Sequence, residues 1–146
     1  MTLENKIFYG LVTMVVIIIV FLLTPGSLYL RLNAQPPNNQ EAITAKVGED
    51  VTFELCRSGI ILPTETRQIR TTTSLDNPTL ASEYDFEPTI EDSGCRQFTH
   101  FAFDPNTGEP RIPQEAGKYE VTTNVFFPVL FTQKNTSYKF EFEYVE

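Results

Sequence analysis

"SYKFEFEYVE", residues 137–146, alternates without a break: Tyr138, Phe140, Phe142 and Tyr144 fall on one side of an extended chain, with Lys139, Glu141 and Glu143 on the other. Successive side chains of a strand point to opposite faces, so the pattern describes a strand with one dry and one wet face. The same period recurs upstream. In "VTFELC" (51–56) Val51, Phe53 and Leu55 share a side, and in "KYEVTTNVFF" (118–127) Tyr119, Val121, Val125 and Phe127 do so. Gly48, the "DPNTG" stretch at 104–108 and Gly117 stand where a chain reverses. Apolar residues show no helical spacing over a useful length beyond residue 41, so the expected class is all-β, a β-sandwich. Residues 67–94, rich in Thr, Ser, Asp and Pro, read as long loops with two short strands.

The N-terminal end follows a different rule. Residues 7–23 carry no charge and are dominated by Val, Ile, Leu and Phe. At a rise of ~1.5 Å per residue they span about 26 Å, slightly less than a roughly 30 Å hydrocarbon core, and Leu28, Tyr29 and Leu30 can make up the difference. Thr24-Pro25-Gly26 is expected to interrupt the helix. Ile7, Leu11, Val15, Ile18, Phe21 and Leu23 are the expected anchor residues, with Tyr9 and Tyr29 near the two interfaces. A cleaved secretory signal is the competing reading, but its apolar core is shorter and small residues follow it, whereas "LNA" (32–34) offers the bulky Leu32. Lys6 and the terminal amine against Arg31 lean towards a cytosolic N-terminus, with the domain across the membrane. "NAQPPNNQ" (33–40) is polar and proline-containing, a spacer by composition. The expected divisions are 1–31 for the tail and transmembrane anchor, 32–41 for the linker and 42–146 for the sandwich.

The chain has a formal charge of −8, and beyond residue 31 it holds 18 acidic and 9 basic residues, a charge of −9. Such a domain repels nucleic acid and anionic headgroups and favours basic protein surfaces where charge steers it at all. Cys56 and Cys95 are the only cysteines. In an oxidising compartment they would close a loop of about 40 residues, and in cytosol they would stay reduced. Two thiols without a CxxC spacing and a single histidine make poor zinc ligands, and no metal or other cofactor is expected. His100, in "QFTHFAF", reads as a strand histidine at a sheet surface or partner contact rather than a catalytic one. "EPTIEDSG" (87–94) gathers three carboxylates but matches no EF-hand spacing, and reads as a solvated acidic loop. Asn135-Thr136-Ser137 has the form of an N-glycosylation sequon, expected in a turn before the last strand. Phe126, Phe127, Val129, Leu130 and Phe131 are too many apolar side chains for one strand face. Either both faces are covered or some meet a partner, Phe126, Leu130 and Phe131 being the candidates.

Three resemblances follow from these residues. "FDPNTGEPRIPQEAGKYEVTTNVFF" (103–127) is similar to the central hairpin of complement-C1q and tumour-necrosis-factor-like jelly rolls, through Thr107, Gly108, Ile112, Pro113, Gly117 and Tyr119, although those domains continue for several more strands. "VGEDVTFEL" and "EAGKYEV" resemble the second strand and the sixth-strand tyrosine of immunoglobulin-like sandwiches, with "SYKFEFEYVE" as the last strand. The positions of the inter-sheet cystine would be Leu55 and Val121, neither of them cysteine. The short polar N-terminus, the Val/Ile-rich span and "LTPG" resemble small single-span virion membrane proteins of large nucleocytoplasmic DNA viruses. That resemblance implies a non-enzymatic minor capsid protein tethering an inner viral membrane to the capsid shell, with the lipid bilayer and capsid proteins as partners. The alternatives are a cell-surface or secreted adhesion or ligand module and an accessory subunit of a membrane complex.

Overall fold

In a computed structural model the protein is described over residues 1–23, 30–58, 64–91, 93–129 and 132–146. Among the described residues the helix α1 (Leu3–Leu23) precedes nine strands: β1 (Arg31–Gln35), β2 (Ile43–Lys46), β3 (Val51–Ser58), β4 (Thr64–Ser74), β5 (Ala81–Asp85), β6 (Thr89–Glu91), β7 (Gly94–His100), β8 (Gly117–Val129) and β9 (Thr132–Val145).

Helix α1 begins at a polar cap. Thr2 Oγ1 accepts from the Asn5 N–H at 3.4 Å, and Glu4 places a negative charge in the first turn, where the helix dipole favours it. Further along, Thr13 Oγ1 donates to the Tyr9 carbonyl at 2.8 Å, which satisfies the hydroxyl within an apolar sequence. Twenty-one residues give a rod of about 31 Å. Residues 3–20 are long and apolar enough to cross a bilayer, and none of them is buried against the rest of the chain. Ile7, Leu11, Val15 and Ile18 are all exposed. Phe21 and Leu23 belong to the helix, but their side chains lie outside the described residues, as does the Thr24-Pro25-Gly26 segment.

The strands form two sheets. The first has the order β1-β3-β7, antiparallel throughout. The second has the order β2-β9-β8-β4-β5, with β6 alongside the start of β4, and within it β2 runs parallel to β9. The inner faces of the two sheets meet through the alternating residues read from the sequence. Phe53 of β3 stacks on Phe140 of β9 with ring centroids 4.4 Å apart, and Phe98 of β7 stacks on Phe53. Tyr119 of β8 faces Phe142 of β9 in register and stacks on it at 5.3 Å. Val121, Val125 and Phe127 complete the inward row of β8. Each such large side chain contributes roughly 1.5–3 kcal/mol by leaving water.

Two expectations are corrected. The stretch 33–40 is not a free spacer: Arg31–Gln35 pairs residue by residue with Ser58 to Glu54 of β3, and Leu30, Leu32 and Ala34 pack on the core. The prolines end that strand rather than prevent it. Pro37 is buried, and Asn38 and Asn39 take φ of 54° and 58°, which asparagine tolerates in a tight reversal. The folded head therefore starts at residue 31 rather than 42. Likewise residues 67–94 are not mainly loop, because β4 lies between β8 and β5 and carries much of the sheet. Its inward residues are Thr66, Arg70, Thr72 and Ser74, all buried and all polar, so the strand shows no apolar alternation.

Candidate functional site: a buried arginine and its aromatic surround

Because the inner face of β4 is polar, its side chains need partners from the opposite sheet and from neighbouring strands. Arg70 is 5% exposed and finds three. Its Nε donates to Thr123 Oγ1 of β8 at 3.2 Å and its Nη2 to Tyr138 Oη of β9 at 3.1 Å, while Nη1 lies 3.3 Å from His100 Nδ1 of β7. A guanidinium has no acceptor, so His100 Nδ1 accepts and the ring proton sits on Nε2. That nitrogen then donates to Thr72 Oγ1 at 2.8 Å. Both ring nitrogens are committed, leaving no lone pair for base catalysis. Burial first, then the positive charges of Arg70 and Arg111, push His100 down from 6.5 to about 3, so the ring is neutral across the physiological range.

The guanidinium of Arg70 also lies over the rings of Phe86 at 4.7 Å and Phe53 at 5.4 Å. Hydrogen bonds from a charged donor are worth roughly 1.5–3 kcal/mol each and an aromatic face roughly 0.5–2, against a burial penalty of several kcal/mol per ion. The donors are served. All three hydrogen-bond partners are neutral, however, so they leave the charge itself uncancelled.

Arg111, beside it, is handled differently. It stacks on Tyr84 with Cζ 3.5 Å from the ring centroid, lies 5.7 Å from that of Phe86, and donates from Nη2 to Asp104 Oδ2 at 2.8 Å. Asp104 also accepts from the Asn106 and Thr107 N–H groups, and Gly108, at φ 74°, closes the turn. The Arg111 contact, helped by these two amides, holds the Asp104 carboxyl down at about 2. The "DPNTG" turn thus carries the counterion of one buried arginine.

A cleft of about 290 Å³ opens onto Arg70 between β7 and the β4–β5 edge. It is lined by Arg57, Arg70 and Arg96, by the rings of Phe86 and Phe98, and by Gln68, Thr89 and Thr99. A shallower groove of about 570 Å³ runs along Arg67, Pro88, Phe126 and Pro128 on the outer face.

The residues singled out in the sequence are scattered around this centre. His100 is not at a sheet surface but 1% exposed, because its strand partner Val51 and the polar row of β4 enclose it. Cys56 and Cys95 face each other in register on β3 and β7 and are joined by a disulfide, Cα atoms 3.9 Å apart. Glu54 brings a carboxylate oxygen within 4.8 Å of both sulfurs, but bonded sulfurs are not the thiolates a metal requires. Asn135 is exposed within β9, paired with Phe126, rather than in a turn ahead of the strand. Phe127 points into the core and Phe126 outward, half-buried, while Leu130 and Phe131 lie outside the described residues. Asp92 and the Glu91 side chain of the acidic stretch lie outside them too. Sequence reasoning missed Arg57, Arg70, Arg96 and Arg111; for Arg70 the available signal was the run of β-branched threonines around it in "TETRQIRTTTS", which suits a strand.

No protein-family model matches the chain, and no curated protein matches it. Among solved structures, the chain matches the CooA pilin subunit from enterotoxigenic Escherichia coli at 8% identity, over 79% of this chain and 99% of that one, with a TM-score of 0.34.

Proposed function

We propose that this chain is a non-enzymatic, single-pass membrane protein whose β-sandwich head, of immunoglobulin-like type, binds other proteins on the non-cytosolic side. The observation that carries the reading is an apolar helix, exposed over residues 3–20, joined to a disulfide-bearing head by only the residues between 23 and 31. Fully extended, that connection reaches about 25–30 Å. An oxidised cysteine pair suits a compartment outside the cytosol, in keeping with the charge lean of Lys6 against Arg31.

The sandwich type is supported by strand order. If β1 and β2 are the two halves of a first strand, β3 the second and β8 the sixth, the sheets match the two-sheet immunoglobulin plan, with the second half of the first strand parallel to the last. Tyr119, two residues before Val121, donates its hydroxyl to the Glu115 carbonyl at 2.8 Å, as the tyrosine corner of such domains does. The jelly-roll reading has less support, since 103–116 forms a connection with one isolated bridge, Phe103 to Pro110, rather than a central hairpin.

Alkaline extraction of membranes, protease protection and alkylation of the cysteines with and without reductant test this reading together. The expected result is a chain that resists extraction, a protected head and alkylation only after reduction. A mature chain beginning beyond Arg31 overturns it.

The short connection supports a second reading, a minor capsid protein holding an inner viral membrane against a closely apposed shell. Fractionation of purified particles tests that, and recovery only from host membranes overturns it.

A further inference from the structure

We propose, resting on the membrane-anchored reading, that the tip of the β8–β9 hairpin sits in the surface of the same bilayer that α1 spans. The head is then seated on lipid rather than held off it. Strand pairing fixes the place. Gly117 faces Tyr144 at one end of the hairpin and Val129 faces Thr132 at the other, closed end. That closed end shares a pole with the start of the head, because Leu30 and Leu32, on either side of Arg31, line one small cavity with Thr66, Val125 and Tyr138. Here the chain arrives from α1 after only residues 24–30. The last pair between β4 and β8 is Arg67 with Phe126. Three further hairpin pairs, Phe127 with Lys134, Pro128 with Gln133 and Val129 with Thr132, therefore stand about 10 Å beyond that ladder.

The chemistry of this pole suits a lipid surface. In a chain of formal charge −8, residues 126–133 carry no charge. Phe126 turns outward and Pro128 is exposed, and with Thr132 and Gln133 they line the open groove of about 570 Å³. Exposed Arg31 and Lys134 flank the tip, where their stems can lie along apolar surface with the charges among lipid phosphates. Glu65 and Arg67, on the β4 wall of the groove, stand back from the tip at the level of headgroups and water. The joins between strands divide the same way. At this pole residues 59–63 and 130–131 carry no charge and 92–93 carry Asp92. At the opposite pole residues 47–50, 75–80 and 101–116 carry six carboxylates against one arginine. Carboxylates hold that end in water, whereas an uncharged apolar tip gains by leaving it.

The test uses the full chain reconstituted in phosphatidylcholine vesicles. The sequence holds no tryptophan, so single substitutions serve as fluorescent reporters. Phe126→Trp and Gln133→Trp mark the tip, and Val16→Trp marks α1. Phe103→Trp marks the opposite pole, where the ring is 41% exposed and follows His100, the partner of the first residue of β3. Lipids carrying a nitroxide on the acyl chain are expected to quench both tip reporters and Val16→Trp, with a blue shift of tip emission, and to leave Phe103→Trp unchanged. Gln133 is exposed, so its reporter decides the matter even where Phe126→Trp lowers the melting temperature. Quenching of Val16→Trp without quenching of the tip overturns the proposal and leaves the anchor intact. An unquenched Val16→Trp overturns the anchor reading and the proposal with it. Equal quenching at both poles overturns the proposal, as does a blue shift at the tip that fades when protein is diluted in lipid, which identifies a second copy of the chain as the occupant.

Discussion

Arg70 Nη1 lies 3.3 Å from His100 Nδ1, so a buried guanidinium is held by an imidazole that must remain neutral to accept from it. The contact joins β4 of one sheet to β7 of the other through polar atoms, beside a core of aromatic and aliphatic side chains.

That relationship makes stability depend on acid. His100 ordinarily titrates at 6.5 and in the folded head at about 3, so between those values the unfolded chain binds a proton that the folded chain does not. Stability is therefore complete above about pH 6.5 and falls as pH drops towards 3, by about 2–3 kcal/mol at pH 4.5. Urea unfolding at pH 7 and pH 4.5 measures the difference, and His100→Gln should remove most of it. Asp104 adds its own loss only lower, between 3.8 and about 2.

At the alkaline end the sign reverses. Tyr144, whose hydroxyl donates to the Glu49 carbonyl at 2.6 Å, is pushed up to about 12, first by burial and then by Asp50. Stability should fall as pH rises from 10 to 12, and Tyr144→Phe should flatten that part of the profile while lowering stability at pH 7 by about 1 kcal/mol.

Replacing Cys56 and Cys95 together by Ser should cost about 2–4 kcal/mol, since the bond closes a 39-residue separation. Strand content by circular dichroism should be unchanged, because Leu55 with Arg96 and Glu54 with Gln97 remain paired beside it. A head that loses its strands on reduction would contradict this.

Packing separates two phenylalanines. Phe53, fully buried between Phe140 and Phe98, should cost about 3–5 kcal/mol on truncation to Ala. Phe126, half-buried on the outer face, should cost less than half as much, and denaturant midpoints compare the two directly.

In the helix, Val16→Arg places a charge near the middle of the exposed apolar rod. It should release a large part of the chain from alkaline-washed membranes, while Lys6→Gln should not.

The parts of the fold legible in the sequence are those where apolar side chains alternate with polar ones. In β9, Tyr138, Phe140, Phe142 and Tyr144 face inward as their spacing requires, and β3 and β8 behave alike. Where the inward residues are polar the pattern is silent. Thr66, Arg70, Thr72 and Ser74 make β4 resemble a loop, although threonine's branched side chain suits a strand, and Asn33, Gln35 and the following prolines hide β1. The arginine site was illegible for the same reason: Arg70, His100, Thr123 and Tyr138 come from four strands, and only folding brings them within hydrogen-bonding distance.

The parallel run of β2 beside β9 has a mechanical meaning. Arg31 lies opposite Ser58 at one pole of the head, whereas Lys46 and Val145 lie side by side at the other. Tension applied between the N-terminal helix and anything holding the C-terminal pole would draw β1 along β3 and β2 along β9, loading both ladders in shear. The five residue pairs of the first and the four of the second would then resist together instead of opening one after another like a zip.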